Sequence, residues 1–281
     1  MQYYVNGQPG AMVNAAERAF QYGDGLFETI RVRQAEPEYL ARHMQRLSIG
    51  CERLQFPPVD WAQVRQELTG FAQQRDDAVL KYILSRGAGG RGYQPGAGLE
   101  VTRIAALQPL PRWSSDPQQE GVRTRVCTTR LASQPLLAGL KHLNRLEQVL
   151  ARAEWHDPDI AEGLMLDYQQ NLVEGTMSNV FIVHGSELVT PELSACGVAG
   201  VMRSVILDLA ATLGIKVRVA PVTMDDVGAS REIFICNSLI GIWPVVSVEA
   251  TGKFPVGRLT RQLQLALQAA EGDDDGNWYI T

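Results

Sequence analysis

The sequence predicts a mixed α/β chain built as two domains, and three observations lead there. Strand-like and helix-like periodicities are interleaved in both halves, yet neither half keeps the strict strand–helix–strand rhythm of a doubly wound sheet. A polar stretch carrying Pro109, Pro111 and Pro117, residues 108–120, separates the halves and reads as a linker. The 281 residues, 45% hydrophobic and 20% charged, are enough for one large or two modest cores. Domains are therefore expected over residues 1–107 and 121–281.

The elements follow in order. Tyr3-Tyr4-Val5 before Asn6-Gly7 reads as an edge strand ending in a tight turn. After the turn Gly23-Asp24-Gly25, residues 26–32 alternate in and out as a half-buried strand does. Met44, Leu47, Ile49, Cys51 and Leu54 recur at roughly helical spacing, and Trp61, Val64, Leu68 and Phe71 mark a second helix. Residues 78–85 are rich in strand formers and run into a glycine-laden loop, 86–93; residues 101–107 form the next strand. Beyond the linker, strands are expected at 122–128, 163–167, 180–184, 215–219 and 232–236. Helices are expected at 144–155, with Leu146, Val149, Leu150 and Ala153 on one side, at 201–213, with Val201, Val205, Leu209 and Leu213 at strict i+4 spacing, and at 258–270. No repeat of fixed period is present.

Composition excludes several classes. Net charge is −5 with no basic stripe, which argues against a nucleic-acid partner; the acidic run Glu271 to Asp275 reads as a solvated tail. Four cysteines at 51, 127, 196 and 236 form no CxxC pair and no disulfide framework. The start lacks a basic segment followed by an apolar one, and no apolar run is long enough to span a membrane, so a cytoplasmic protein is expected. The histidines at 43, 142, 156 and 184 do not stand at metal-ligand spacing, so no metal site is expected.

The chemistry centres on lysine, which is scarce: 4 Lys against 22 Arg. Lys141 sits between the apolar run Leu136-Leu137-Ala138 and an expected helix start. Desolvation there would pull its pKa toward neutrality, as Schiff-base chemistry requires; the plainer reading is a lysine covering a loop. Pyridoxal phosphate is the commonest cofactor held this way, and it wants an acid for its ring nitrogen and a clamp for its phosphate. Glu174 follows a strand and turn, and either serves as that acid or caps the next segment. Backbone N–H groups at Gly200-Val201-Met202 open a helix and suit phosphate, although most helix starts bind only water. Asn237-Ser238 is either an ordinary strand exit or a further anion donor. Arg46 reads as a mid-helix arginine, and Arg91 as a carboxylate clamp or a surface residue of the glycine loop. That loop holds neither GxxxxGK[ST] nor a GxGxxG opening a helix.

Taken together these residues resemble the fold-type IV pyridoxal-phosphate enzymes, the D-amino-acid and branched-chain aminotransferase group. The likeness runs through Gln21-Tyr22-Gly23-Asp24-Gly25-Leu26-Phe27-Glu28, His43-Met44-Gln45-Arg46-Leu47, Gly90-Arg91-Gly92-Tyr93, Leu140-Lys141-His142-Leu143-Asn144-Arg145, Val173-Glu174, Ser178-Asn179, Gly200-Val201-Met202-Arg203 and Cys236-Asn237-Ser238. It implies two α/β domains with the cofactor in the cleft between them, and a homodimer. It further implies that Lys141 carries the cofactor, Arg46 binds the phosphate with Val201, Met202, Asn237 and Ser238, Glu174 pairs with the ring nitrogen, and Val198 packs on the ring. Arg91, Tyr93 and Phe27 would face the substrate. The Arg91-Gly92-Tyr93 and Lys141 to Arg145 runs are most similar to the family's lyase branch, which turns 4-amino-4-deoxychorismate into 4-aminobenzoate and pyruvate for folate biosynthesis. Phe27 stands where D-amino-acid transaminases usually have a tyrosine. The alternative is an aminotransferase acting on D-amino acids or branched-chain amino acids.

Overall fold

A computed structural model describes residues 2–113 and 115–270, so the acidic run 271–275 lies outside the described residues. The chain divides into two compact units. Of the described residues, one holds those up to Arg112 together with Leu140–Asn144; the other holds Trp113–Gly139 and residues 145–270. The division falls inside the proline-bearing stretch. That stretch is not linker throughout: Gln108 ends a strand, and Pro117–Glu120 form a helical turn capped by the Asp116 side chain.

In the first unit the described strands are β1 (Gln2–Val5), β2 (Gln8–Pro9), β3 (Gly25–Arg33), β4 (Glu36–Pro37), β5 (Asp77–Ser85) and β6 (Thr102–Gln108). They form an antiparallel sheet in the order β2-β1-β6-β5-β3-β4. The opening strand is therefore flanked by a two-residue strand and is not itself the edge. Its helices are α1 (Arg18–Tyr22), α2 (Leu40–Arg53) and α3 (Trp61–Ala72). Side chains alternate along a strand, so the even-numbered residues Leu26, Ile30, Val32, Leu80, Tyr82 and Leu84 share one face. They bury against Met44, Leu47 and Cys51 of α2 and Val64, Leu68 and Phe71 of α3. The odd-numbered residues Phe27, Thr29, Lys81 and Ile83 line the other face and are only half-buried.

The second unit holds α4 (Pro117–Glu120), β7 (Val122–Leu131), α5 (Leu146–Arg152), β8 (Ile160–Asp167), β9 (Asn171–Gly175), β10 (Asn179–His184), β11 (Glu187–Pro191), α6 (Val201–Thr212), β12 (Val217–Ala220), β13 (Val222–Thr223), α7 (Met224–Gly228), β14 (Glu232–Asn237), β15 (Gly241–Val248), β16 (Gly252–Lys253) and α8 (Arg258–Ala270). The sheet order is β12-β11-β10-β14-β15-β7-β8-β9-β13, with β16 on β15. Its core is aliphatic: Leu164, Leu166, Val180, Ile182, Ile233, Ile235 and Val245. Helices α6 and α8 pack on each other and on β14.

Two helix readings need correction. The helix expected over 144–155 spans only Leu146–Arg152, and the residues assigned to its packed side face outward: Leu146 is 76%, Val149 60% and Leu150 62% exposed, and Ala153 is exposed too. Apolar periodicity marks a face that must be covered but does not say by what. In α6 the buried row is Val201, Met202, Val205, Ile206 and Ala210 rather than a strict i+4 series ending at Leu213, which is 37% exposed.

Candidate active site

Lys141 belongs to the five-residue segment that clusters with the first unit. The segment runs antiparallel beside the start of β3, on the edge that β4 leaves open: Phe27 N donates to Lys141 O at 2.9 Å and Leu143 N to Gly25 O at 3.0 Å. This pairing fixes the backbone on both sides of Lys141. Its side chain is half-buried, with Nζ 4.4 Å from the centre of the Phe27 ring. An aromatic face receives a cation favourably while withholding the full hydration of bulk water. The pairing brings together two residues that the sequence assigned to separate roles, Lys141 and Phe27.

Arg46 is not a solvated helix arginine. Its Nε donates to Glu28 Oε1 at 2.8 Å and a terminal nitrogen donates to Glu28 Oε2. The same carboxylate binds His43 Nδ1 at 2.6 Å, one turn back on α2, and both Glu28 and His43 are fully buried. Burial alone would raise the Glu28 pKa, but the charge and hydrogen bonds of Arg46 and His43 outweigh it and hold it at about 2. His43 is pushed below its ordinary value, first by burial and further by the positive charges of Arg46 and Lys141, against the pull of Glu28. The trio is thus an ionised Glu28 bridging His43 and Arg46. Sequence reading missed Glu28 and His43 as the partners that aim Arg46. The available signal was a carboxylate on the core-facing side of an alternating strand.

Arg91 and Tyr93 lie on an exposed loop, with Tyr93 86% exposed. The loop is tethered by a residue the sequence did not single out. Arg18, 3% exposed, donates Nε to Asp24 Oδ2 at 2.8 Å, and its terminal nitrogens donate to Gly92 O at 3.2 Å and Tyr93 O at 2.8 Å. Tyr22 and Tyr93 meet edge to face at 5.5 Å, and Arg18 also stacks over Tyr22.

The other expected site residues lie in the second unit. Glu174, on β9, is 4% exposed, and its Oε2 accepts from Val198 N at 2.7 Å. Arg145 is close enough to Glu174 to feel its charge. Gly197 lies at φ +86, and a Cβ there would meet Val173 and Leu193 at 2.8 Å, so only glycine lets the chain pass this close to Glu174. Asn179, also unmarked by the sequence reading, braces the entry to α6: Nδ2 donates to Val198 O at 2.9 Å and Oδ1 accepts from Gly200 N at 3.1 Å. Gly200 is the N-cap and supplies no side-chain cap to the first N–H groups of α6, at Val201 and Met202. Antiparallel pairing of Asn179 with Cys236 sets the end of β14 beside this helix start. There the Asn237 side chain is engaged locally: Nδ2 donates to Met177 O, and Oδ1 accepts from Leu239 N and Ile240 N. Asn237 therefore shapes the turn that carries Ser238.

The first unit thus carries a strand-flanked lysine, and the second a buried carboxylate and an uncapped helix start. The amino-transferase class IV family matches residues 25–248, and the chain belongs to that family. Among curated relatives it is 40% identical over 267 residues to aminodeoxychorismate lyase from Vibrio harveyi, covering 93% of this chain and 98% of that one. It is 28% identical over 264 residues to D-alanine aminotransferase from Bacillus licheniformis, covering 91% and 90%. Among solved structures it superposes on 4-amino-4-deoxychorismate lyase from Pseudomonas aeruginosa with a TM-score of 0.92 at 48% identity, covering 97% and 99%. Branched-chain amino acid aminotransferase from Escherichia coli gives 0.84 at 25%, covering 99% and 97%.

Proposed function

We propose that the chain is a pyridoxal-phosphate-dependent lyase that converts 4-amino-4-deoxychorismate to 4-aminobenzoate and pyruvate. One observation carries the choice. Near full-length identity is 40% and 48% to two such lyases, against 28% and 25% to the aminotransferases. Phe27 under the Lys141 ammonium agrees with it.

The residues present fit the cofactor. A buried carboxylate held by a backbone N–H, beside a glycine that admits no side chain, suits a ring nitrogen; an uncapped helix start suits a phosphate. Glu174 would hold the ring nitrogen, Val198 pack on the ring, and Arg46, the N–H groups of Val201 and Met202, and Ser238 take the phosphate. When bound, pyridoxal phosphate supplies a carbonyl that condenses with an amine and a protonated ring that accepts an electron pair. Lys141 Nζ would hold the cofactor and, when free, would take the proton from the amine-bearing ring carbon of the substrate. The electron pair of the broken carbon–hydrogen bond becomes a ring double bond, the neighbouring carbon–oxygen bond breaks, the ring becomes aromatic, and the group departs as the enolate of pyruvate, which takes up one proton on its methylene carbon to become pyruvate. Arg91 and Tyr93 take a substrate carboxylate, and the Glu28–His43–Arg46 trio keeps Arg46 aimed.

The protein works in the cytoplasm and as a homodimer. Free, buried cysteines support the first, and among the described residues no helix is long and apolar enough to cross a membrane. The uncovered row Leu146, Val149 and Leu150 supports the second. Sedimentation should give a dimer, and Leu150→Asp a monomer. The function is tested by supplying aminodeoxychorismate alone: 4-aminobenzoate fluorescence and pyruvate should appear together with no keto acid added. Borohydride should fix the cofactor on Lys141. Dependence on a keto-acid acceptor would replace this reading with an aminotransferase.

A further inference from the structure

The second unit buries another carboxylate near Glu174. Glu162, on β8, is 3% exposed. Strands β8 and β9 pair antiparallel, with Leu164 opposite Gly175, the last residue of β9. Glu162 therefore lies beyond the last pair, at the turn that joins β9 to β10. Its two oxygens meet five donors. Oε1 accepts from Gly163 N at 2.9 Å, Thr176 N at 3.1 Å and Thr176 Oγ1 at 2.5 Å; Oε2 accepts from Met177 N at 3.1 Å and Ser178 Oγ at 2.8 Å. A carboxylate accepts at both ends, whereas an amide accepts at only one. A Cβ at Gly175 would stand 2.9 Å from Glu162 Cδ and 2.3 Å from Ser178 Oγ, so the turn is packed down on this carboxylate. The turn also reaches outward. Met177 O accepts from Asn237 Nδ2 at 3.0 Å, and Asn237 Oδ1 accepts from Leu239 N and Ile240 N. Met177 is thus held by Glu162 through its N–H and holds Asn237 through its carbonyl, and the next residue after Asn237 is Ser238.

We infer that Glu162 is a positioning residue for the cofactor's phosphate, acting through Met177 and Asn237 on the turn that carries Ser238. The inference rests on the phosphate placement of the proposed function. Val201 and Met202 belong to a helix that fixes their direction, but Ser238 stands in a turn and depends on whatever pins Asn237. Donors fixed in advance bind an anion better than donors that must be ordered by it. Glu162→Gln separates this role from general bracing of the hairpin. The single accepting oxygen of the amide stays where two backbone N–H groups, of Gly163 and Thr176, converge. Its NH2 then faces Met177 N–H, donor against donor, while the Ser178 hydroxyl can turn to accept. The group left unpaired is therefore Met177 N–H, the first link toward Ser238. Glu174, on the strand before the turn, keeps its bond from Val198 N.

The test is an absorbance titration of the full-length apoprotein with two probes, pyridoxal phosphate and pyridoxal, which lacks the phosphate. Glu162→Gln should weaken pyridoxal phosphate about tenfold or more, through loss of a hydrogen bond to a charged acceptor, and leave pyridoxal within about twofold. Asn237→Ala should show the same selectivity, and adding Glu162→Gln to it should cost little more, because the path is already cut. If Glu162→Gln does not fold, Glu162→Asp, which keeps the charge and draws it back by one methylene, carries the same comparison. Unchanged affinity for pyridoxal phosphate, equal weakening of both probes, or strictly additive losses in the double variant overturns the role of Glu162 while leaving the phosphate placement intact. Wild-type apoprotein that binds pyridoxal as tightly as pyridoxal phosphate overturns that placement itself, and Glu162's role with it.

Discussion

Gly200→Ala should damage the cofactor site through a single contact. Gly200 has φ −67 and ψ 140, which alanine adopts freely, so backbone strain contributes nothing. The added Cβ would stand 2.0 Å from Asn179 Oδ1. Asn179 is 6% exposed and must move, giving up its bonds to Val198 O at 2.9 Å and Gly200 N at 3.1 Å. Two part-buried hydrogen bonds contribute about 1 kcal/mol each, and the polar groups left unpaired add to the loss. The smaller entropy of the unfolded alanine chain returns about 0.4–1 kcal/mol. A net destabilisation of about 2 kcal/mol is expected by urea unfolding of the apoprotein. Because the displaced segment leads into Val201 and Met202, affinity for pyridoxal phosphate, read from its absorbance in a titration, should fall as well. A second variant separates the clash from other causes. Asn179→Ala removes the obstructing atom, so adding Gly200→Ala to it should cost nothing more. Wild-type stability and cofactor affinity in Gly200→Ala, or strictly additive losses in the double variant, would refute the reasoning.

Three further outcomes are expected. Glu28 has its pKa lowered from 4.5 to about 2, so its contribution is complete above pH 4.5 and lost as pH falls toward 2. At roughly 1.4 kcal/mol per pH unit, about 2 kcal/mol should disappear between pH 5 and pH 3. His43, also lowered, acts in the same direction below its ordinary value, and a stability that stays flat over this range in urea unfolding would contradict the buried trio. Arg18→Gln removes the tether of the glycine loop; limited proteolysis at residues 87–99 should quicken and KM rise, with the cofactor spectrum unaltered. Glu174→Gln should keep the fold and lose most of the activity, since a charge-assisted bond contributes about 1.5–3 kcal/mol and more where it holds charge on the cofactor; near-normal turnover would remove Glu174 from the ring-nitrogen role.

Regular elements were legible wherever a period of two or 3.6 was backed by punctuation. Strand β3 alternates cleanly behind Gly23-Asp24-Gly25, and α8 carries its apolar row from Arg258 to Ala270, as read from the sequence. Legibility failed where the local signal opposes the outcome. Strand β15 contains Pro244, which ordinarily demotes a strand, yet it pairs with Phe234 in the interior of the sheet. Asn171–Gly175 reads as the end of a turn and is strand β9, because β8 supplies the partner edge.

The site shows the same division for a sharper reason. A group that must be chemically unusual stands out by type: Lys141 is conspicuous in a chain of 22 arginines, and Glu174 is a lone acid in an apolar strand. A group that only holds another in place does not stand out. The sequence assigns no role to Arg18, Glu28 or His43, because the property that matters, burial beside a partner distant along the chain, is not local. Glu28 is 18 residues from Arg46, and Arg18 is 75 from Tyr93. Lys141 itself takes its place from pairing with β3, more than a hundred residues earlier, and no window around residues 140–144 contains that information. The position of Lys81 beside Phe27 is equally silent in the sequence. In its own strand it is one polar residue in an alternating pattern, and its closeness to Lys141 follows only from the register of β3 with β5 and from the return of residues 140–144 to the same sheet. Residues that do the chemistry are therefore recovered from sequence by type, whereas those that aim it are recovered only after the fold has brought distant segments together.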